Sequence, residues 1–221
     1  MKTAQIRWAT PDLDKTIAQI ARVSNPSNQM NSEYKNLLTY MMQQGHVSPF
    51  EMANVCMEIN TTRDIARQIL RHRSFSFQEF SQRYQTVEVL GHTKTTREIR
   101  LQDQKNRQNS ISIDYTNDQQ RILATHWEHR VKTLAEEAQR HYDWAISMGI
   151  AKEQARALLP EGLTPSRMYV NGTLRSWIFY LKQRLDISTQ KEHREIAQCV
   201  LEELRLVAPV TMLAFFPKEN T

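Results

Sequence analysis

The sequence RHRSFSFQEFSQRY spans residues 71–84 and places three arginines and one histidine within fourteen residues. Just upstream, Asp64, Arg67, Gln68 and Arg71 follow one another at i, i+3, i+4 and i+7. On an α-helix these positions share one face, so the spacing predicts a helix whose polar face ends at the arginines.

Beyond Ser81 the sequence turns to β-prone residues, with Val87 and Val89 two positions apart. This alternation predicts a strand over 84–90. If the extended backbone starts at Ser81, the side chains of Ser81 and Arg83 point the same way. The expected layout is a helix, a polar loop and a strand, with arginine on both sides of the loop.

Two interpretations of this layout stay open from these residues alone. Arginine offers a planar fork of donors that stays charged, which suits an anionic ligand such as a phosphate. An Arg-His-Arg run at a helix end is also typical of a solvated last turn that complements the helix dipole. The rest of the chain has to decide between them.

Length and composition predict one ordinary globular domain over residues 1–221. The chain has 40% apolar and 24% charged residues, and its net charge of +5 suits anionic small molecules or nucleic acid without deciding between them. Cys56 and Cys199 make no disulfide framework, and the N-terminus lacks the apolar core of a signal peptide, so we expect a reducing cytoplasm. No apolar run is long enough for a membrane span.

Glycine and ligand spacings exclude two common kinds of site. The five glycines match neither the dinucleotide-binding pattern nor the P-loop. A bound dinucleotide would therefore need a binding site without the usual glycine-rich loop. No H-E-x-x-H motif or Cys/His ligand spacing occurs, so no metal site is expected.

Apolar spacing along the chain predicts an α+β fold, in which a mixed core of antiparallel strands is flanked by several helices. In the strand expected over 55–60, Val55, Met57 and Ile59 share one face and Cys56 lies on the other. The remaining expected strands cover 4–8 and 167–170. The remaining expected helices cover 12–23, 31–44, 151–159, a segment that begins at 171, and a segment that begins at 190.

Two further segments differ sharply in pattern. Residues 91–115 are polar and poorly periodic, and we expect a long, partly mobile excursion. Residues 117–148 carry a sustained helical stripe, which predicts a long core or interface helix. The stripe consists of Leu123, Trp127, Val131, Leu134, Ala138, Tyr142 and Ala145.

The pattern R-H-R, seven residues, S, x-R-Y over residues 71–84 resembles the signature of the flavin-dependent thymidylate synthase family, and Ala66-Arg67-Gln68 resembles its lead-in. Gly45-His46-Val47-Ser48-Pro49-Phe50-Glu51 ahead of a strand resembles a second family feature. Two more family patterns are Ala-Arg-x-x-Leu-Pro at 155–160 and Arg175-Ser176-Trp177 with a second arginine nine residues on, at Arg184. Gln190, Glu192 and Arg194 resemble the Q-x-E-x-R segment.

The resemblance implies reductive methylation of dUMP to dTMP. FAD is the implied cofactor, 5,10-methylenetetrahydrofolate the one-carbon donor and NADPH the reductant. It also implies a homotetramer whose active sites are shared between subunits. On an unbroken helix, nine residues turn Arg175 and Arg184 to opposite sides, so either the helix ends before Arg184 or the two arginines serve different pockets.

The resemblance also implies residue roles. Arg184 would be catalytic, drawing negative charge onto N3 and O4 of uracil so that C5 becomes more nucleophilic, and His46 would lie at the entrance. The implied dUMP-binding residues are Gln68, Arg71, Glu79, Ser81, Gln82, Arg83, Arg156 and Arg184. The implied FAD-binding residues are Ser48, Arg71, His72, Arg73, Ser74, Glu79, Thr173, Arg175 and Phe179. Many members carry Asn where Thr173 stands and a polar residue where Phe179 stands.

Two alternative functions fit the sequence less well. A classical thymidylate synthase uses a cysteine nucleophile, but Cys56 and Cys199 are expected in a strand and an amphipathic helix, not in a cationic setting that activates a thiol. A basic single-stranded nucleic-acid-binding module would use the arginines as a phosphate track and Phe75, Phe77 and Phe80 as stacking groups. That module leaves residues 45–51 and the Arg175/Arg184 pair unexplained, so we expect no nucleic-acid partner.

Overall fold

The computed structural model describes residues 3–217 and shows the predicted α+β class. The strands are β1 Ala4–Ala9, β2 Asn54–Thr62, β3 Ser76–Glu79, β4 Arg100–Gln102, β5 Ser110–Ser112 and β6 Pro165–Thr173. The helices are α1 Leu13–Ala21, α2 Lys35–Gln43, α3 Arg63–Ile69, α4 Asp118–Ser147, α5 Lys152–Ala155, α6 Leu174–Arg184, α7 Lys191–Val207 and α8 Pro209–Phe215. No helix in this part of the chain is long and apolar enough to cross a bilayer.

The main sheet has four antiparallel strands in the order β1-β2-β6-β3. Met57 of β2 stands opposite Val170 of β6, which stands opposite Phe77 of β3. Val55, Met57 and Ile59 are fully buried, as the alternation predicts. Helices α6 and α7 pack in the same core, so this face of the sheet carries the elements that bear the candidate site.

The strand predicted beyond Ser81 is wrong. The third strand of the sheet lies earlier, at β3, and the chain turns at Ser81, whose carbonyl oxygen accepts from the backbone N–H groups of Tyr84 and Gln85 at 3.2 Å. Val87 and Val89 belong to a 3₁₀ turn, Val87 buried and Val89 exposed. Pairing with the edge of β6 outweighed local propensity, because only residues 76–79 meet it.

The helix predicted from 171 begins later. Asn171, Gly172 and Thr173 end strand β6, where Gly172 stands opposite Val55. Thr173 is the N-cap of α6, and its side-chain oxygen accepts from the backbone N–H of Ser176 at 3.2 Å. A threonine with extended backbone is a favoured cap, so the helix starts at Leu174.

Residues 91–115 contain more structure than their pattern predicted, because β4 and β5 form an antiparallel hairpin. The hairpin is tied to the body by Arg100, whose guanidinium pairs with Glu192 of α7 at 2.7 Å. Neighbouring Arg97 pairs with Asp64 of α3 at 3.0 Å. Charged side chains therefore hold a segment that shows no hydrophobic periodicity.

Helix α4 forms as predicted, capped by Asn117, but its apolar stripe divides into two halves. Val131, Ala138, Tyr142 and Ala145 are buried in the described chain. Leu123, Trp127 and Leu134 are 38–52% exposed and line a groove of about 720 Å³ beside the hairpin. The stripe is therefore a core face at one end and an open apolar face at the other.

Candidate active site

Arg184 meets His72 at the centre of the candidate site. Helix α6 runs unbroken to Arg184, which rules out the alternative that it ends before this residue. The Nε–H of Arg184 donates to Nε2 of His72 at 2.9 Å. Burial, reinforced by the charge of Arg184, lowers the pKa of His72 to about 4. His72 is therefore neutral at pH 7, with its proton on Nδ1.

An aromatic cluster supports this pair. The ring of His72 lies edge-on to Tyr180, with centroids 5.0 Å apart, and Tyr180 is buried beside Trp177. Burial lowers the pKa of Arg184, while the phenol of Tyr180 raises it and the charge of Arg71 lowers it further. The terminal nitrogens of Arg184 form no hydrogen bond within residues 3–217, so its fork of donors stays available.

Gln68 joins the same group from the polar face of α3. Its Nε2 donates to Oε1 of Gln190 at 2.7 Å, and its Oε1 lies 3.1 Å from Nδ1 of His193. Arg71, one turn beyond Gln68, is exposed. The structure thus brings together Gln68, Arg71, His72 and Arg184 from the predicted site.

A second group gathers around Glu153 of α5. Its carboxylate pairs with Arg83 at 3.1 Å, and its backbone oxygen accepts from Nε of Arg156 at 3.3 Å. Ser81 lies in the same turn as Arg83 and accepts from the Arg83 N–H at 3.4 Å. Gln82 is buried, and its Nε2 has no hydrogen-bond partner within the described chain. The two predicted phosphate arginines are therefore neighbours, next to an unused buried donor.

A third group lies at the N-terminal end of α6. Arg175 pairs with Glu51, which belongs to the 3₁₀ turn Ser48–Met52. The Arg175 guanidinium also lies over the ring of Phe179, at 5.2 Å from its centroid, and Phe179 is 47% exposed. His46 is exposed, edge-on to Tyr40. The segment 45–51 and the Arg175 motif, far apart in sequence, are thus adjacent.

The remaining predicted residues fall between these groups. Glu79 accepts from the hydroxyl of Ser166 at 2.6 Å and lies 3.7 Å from Arg63. Ser74 accepts, through its backbone oxygen, from Oγ of Ser176 at 3.2 Å, which joins the arginine loop to α6. Arg73 is exposed and forms no ion pair within residues 3–217.

The three groups face different surroundings. Arg184 contacts His72 and Arg175 contacts Glu51, from opposite sides of α6, as the nine-residue spacing predicts. Across residues 3–217, no hydrogen bond or ion pair joins either arginine to the group around Glu153. The predicted site residues of one chain thus form three groups that lie on separate surfaces.

Comparisons with known proteins decide the family. A family model described as "Thymidylate synthase complementing protein" matches residues 6–210. A flavin-dependent thymidylate synthase from Synechocystis sp. is 47% identical over 182 residues, which cover 82% of this chain and 79% of that protein. The chain belongs to the flavin-dependent thymidylate synthase family.

Two further relatives agree. A probable flavin-dependent thymidylate synthase from Paramecium bursaria Chlorella virus 1 is 43% identical over 190 residues, which cover 86% of this chain and 84% of that protein. The crystal structure of a UMP/dUMP methylase from Streptomyces cacaoi bound with 5-Br dUMP is 25% identical, with a TM-score of 0.77. The structural match covers 96% of this chain and 93% of the methylase chain.

The nucleic-acid-binding alternative has no support in this family or in the structure. Phe75 is only 8% exposed, and its ring packs on Trp177 with centroids 4.5 Å apart. A base cannot stack on the Phe75 ring, because the ring is buried and already packs on Trp177. Phe75, one of the three stacking groups that such a module would need, is therefore not available to a base.

Sequence reasoning missed two buried members of the candidate site, Tyr180 and His193. His193 is fully buried and lies 3.2 Å, through Nε2, from the hydroxyl of Tyr180. A signal was present, because His193 precedes Ile196 and Ala197 on the apolar face of α7. A histidine on such a face needs hydrogen-bond partners, which points to a polar cluster behind it.

Proposed function

We propose that this chain methylates dUMP reductively to dTMP, with 5,10-methylenetetrahydrofolate as the one-carbon donor and NADPH as the reductant through bound FAD. Family membership supports flavin dependence. The observation that carries the proposal for this chain is the contact of Arg184 with neutral His72, which holds a charged fork beside the arginine loop. The prediction that residues 1–221 form one domain stays a prediction.

The phosphate of dUMP would bind Arg83 and Arg156. Both lie at Glu153, and both are exposed, so a dianionic phosphate can displace the weak surface pair between Arg83 and Glu153. The unpartnered Nε2 of Gln82 supports a ligand here, because a buried donor without an acceptor is costly. Ser81 would donate its hydroxyl, and Glu79 and Gln68 would position the nucleoside.

The base would lie against Arg184. Its free terminal nitrogens can donate to N3 and O4 of uracil as negative charge develops on the ring. Because Arg184 is half-buried, this interaction is stronger than it would be in water. His72 accepts from Nε of the same guanidinium, and the terminal nitrogens have no hydrogen-bond partner among residues 3–217.

The residues present fit an FAD. Arg71 and Arg73 are exposed without ion pairs in the described chain, so both guanidinium groups can meet an anionic diphosphate. Ser48, His72, Ser74, Glu79, Thr173, Arg175 and Phe179 complete the proposed FAD set. The bound flavin would carry the reducing equivalents from NADPH to the transferred one-carbon unit. Positive charge from Arg71 would favour its reduced, anionic form.

We propose that the active protein is a homotetramer with active sites at subunit interfaces, entered past His46. The opposed directions of Arg175 and Arg184, and the half-exposed apolar end of α4, support assembly. Light scattering of an active, flavin-loaded preparation is expected to give about four times the 26.0 kDa monomer mass. A mass near 26.0 kDa in an active preparation contradicts shared sites.

The double variant Cys56→Ser, Cys199→Ser is expected to keep making dTMP. Burial raises the pKa of the Cys56 thiol, although Arg7 lowers it, and burial with nearby carboxylates raises the pKa of Cys199. Neither thiol is poised to be a nucleophile at neutral pH. Turnover is measured beside the flavin content of the folded variant. Complete loss of turnover with full flavin content revives the cysteine mechanism.

Both cysteines are unpaired, which supports the proposed cytoplasmic location.

The function is tested on purified protein by its visible absorption and by chromatography of the nucleotide product. A yellow protein that releases FAD on denaturation, and that converts dUMP to dTMP only with both methylenetetrahydrofolate and NADPH, is the expected result. Colourless protein without flavin affinity, or turnover without a reductant, overturns the proposal.

A further inference from the structure

Five side chains form an unbroken hydrogen-bond chain behind the candidate site. Nε2 of Gln190 donates to Oε2 of Glu192 at 3.0 Å, and Nε2 of Gln68 donates to Oε1 of Gln190 at 2.7 Å. Nδ1 of His193 lies 3.1 Å from Oε1 of Gln68, and Nε2 of His193 lies 3.2 Å from the Tyr180 hydroxyl. This hydrogen-bond chain links α7, α3 and α6, and it ends at Tyr180, whose ring packs against His72.

The direction of every bond in this hydrogen-bond chain follows from the ionised carboxylate of Glu192. Burial alone raises the pKa of Glu192, but the hydrogen bond from Arg100 and the charge of Arg97 hold it below its usual value. An ionised carboxylate only accepts. Gln190 must therefore present its N–H to Glu192 and its oxygen to Gln68, so Gln68 must turn its own oxygen toward His193.

The same logic continues through the histidine. Since Oε1 of Gln68 only accepts, His193 carries its proton on Nδ1, and its Nε2 is left to accept from the Tyr180 hydroxyl. His193 and Tyr180 are buried, so water does not offer an alternative partner. A reversal at any link would set two donors or two acceptors against each other, which costs more than a missing bond in a buried site.

The chain determines what Gln68 can offer a ligand. One N–H of its amide is used by Gln190 and its oxygen is used by His193, so one N–H remains on the half-buried side chain. In a flipped amide an oxygen would stand where that N–H stands. A pyrimidine carbonyl accepts from the first arrangement and is repelled by the second.

We propose that Glu192 and His193 are positioning residues that hold the Gln68 amide in one orientation for the pyrimidine of dUMP. Neither has to touch the substrate, because each acts through Gln68. This inference rests on the proposed function, and it assigns a role to a histidine that lies at an unspecified position of the family's Q-x-E-x-R segment.

The test at His193 uses three variants that remove its hydrogen bond to Gln68, its hydrogen bond to Tyr180, or both. In His193→Asn the side-chain amide lies near the Nδ1 position and can still donate to Gln68. In His193→Gln it lies near Nε2 and can accept only from Tyr180, and in His193→Leu both bonds are lost. We measure dUMP affinity by calorimetry on the flavin-loaded protein, then KM for dUMP, kcat and the thermal unfolding midpoint.

A positioning role predicts an ordered result. His193→Leu and His193→Gln should weaken dUMP affinity about tenfold, the effect of one lost hydrogen bond, with His193→Asn close to wild type. A purely structural role would lower the unfolding midpoint of all three, without this order in dUMP affinity. Equal dUMP affinity in the Asn and Gln variants overturns the inference.

A second pair of variants tests Glu192, which fixes the direction of the hydrogen bonds. Glu192→Gln removes the charge that fixes bond direction, because an amide can present either an oxygen or an N–H to Gln190. Arg100→Gln removes the ion pair but leaves the carboxylate, which Arg97 still contacts at 3.4 Å. The KM for dUMP should rise in Glu192→Gln and stay within about twofold in Arg100→Gln, because the carboxylate that remains still only accepts from Gln190.

The outcomes separate the two proposals. Equal effects of Glu192→Gln and Arg100→Gln overturn the directional chain. A wild-type protein that binds dUMP and makes dTMP, with variants that lack the expected order, overturns this inference alone. A wild-type protein that does not bind dUMP overturns both.

Discussion

Arg184→Ala is expected to lower the rate of the chemical step about a hundredfold to a thousandfold at saturating dUMP and methylenetetrahydrofolate. Nε of Arg184 donates to His72, and its terminal nitrogens have no partner within the described part of the chain. If those nitrogens stabilise negative charge at N3 and O4 of uracil, their contribution grows as C5 attacks the one-carbon donor. Such an interaction is stronger in the transition state than in the bound substrate, so its loss appears in turnover more than in affinity.

Arg184→Lys should recover only part of this rate. Lysine keeps the charge but presents a single ammonium group in place of a planar fork, so it cannot serve His72 and two pyrimidine atoms at once. Removal of the guanidinium also removes the charge that helps to lower the pKa of His72. The pKa of His72 should therefore rise in Arg184→Ala, a change that NMR titration of the imidazole can measure without turnover.

Single-turnover oxidation of the reduced flavin, measured beside dUMP affinity, separates binding from activation. Arg83→Ala and Arg156→Ala serve as controls, because both arginines lie at Glu153 and are proposed to hold the phosphate. They should weaken dUMP affinity and recover their rate at saturation. If Arg184→Ala also turns over normally once saturated, Arg184 only clamps the substrate and its activating role is wrong.

Local patterns predicted the parts of this fold that depend on one element at a time. The alternation in β2 predicted the apolar face formed by Val55, Met57 and Ile59, although Cys56 and Glu58 on the other face are buried as well. The nine-residue spacing of Arg175 and Arg184 predicted their opposed directions, because an unbroken helix turns 100° per residue. Neither result required knowledge of the partner elements.

The failures arose where a distant element decided the local structure. Among residues 3–217, the β-prone residues after Ser81 pair with no strand, and residues 76–79 are the ones that meet the edge of β6. The hairpin in 91–115 depends on ion pairs to α7 and α3, which leave no periodic signal. His193 stayed hidden for a related reason: its role depends on Gln68 and Tyr180, which are 125 and 13 residues away in sequence.

Gly172→Ala is expected to destabilise the protein by about 1–3 kcal/mol or more, and to weaken flavin binding with it. A Cβ at this position would lie far inside van der Waals contact of Cδ1 of Phe75. Phe75 is buried against Trp177 and follows the loop that carries His72 and Ser74, so the ring cannot yield without moving that loop. Gly172 stands opposite Val55 of β2, and this pairing holds its backbone on that side.

Gly162→Ala is the matched control. There the nearest atom to the added Cβ would be Oδ2 of Asp64 at 3.8 Å, an ordinary contact, so stability should stay the same or rise by up to about 1 kcal/mol as the unfolded chain loses freedom. Chemical denaturation and FAD titration of both variants provide the comparison. The double variant Gly172→Ala, Phe75→Leu should be more stable than the sum of the single effects predicts, because the smaller side chain relieves the clash. Additive losses in that cycle, or a Gly172→Ala protein as stable as Gly162→Ala, would show that the close packing of Phe75 on β6 does not constrain the arginine loop.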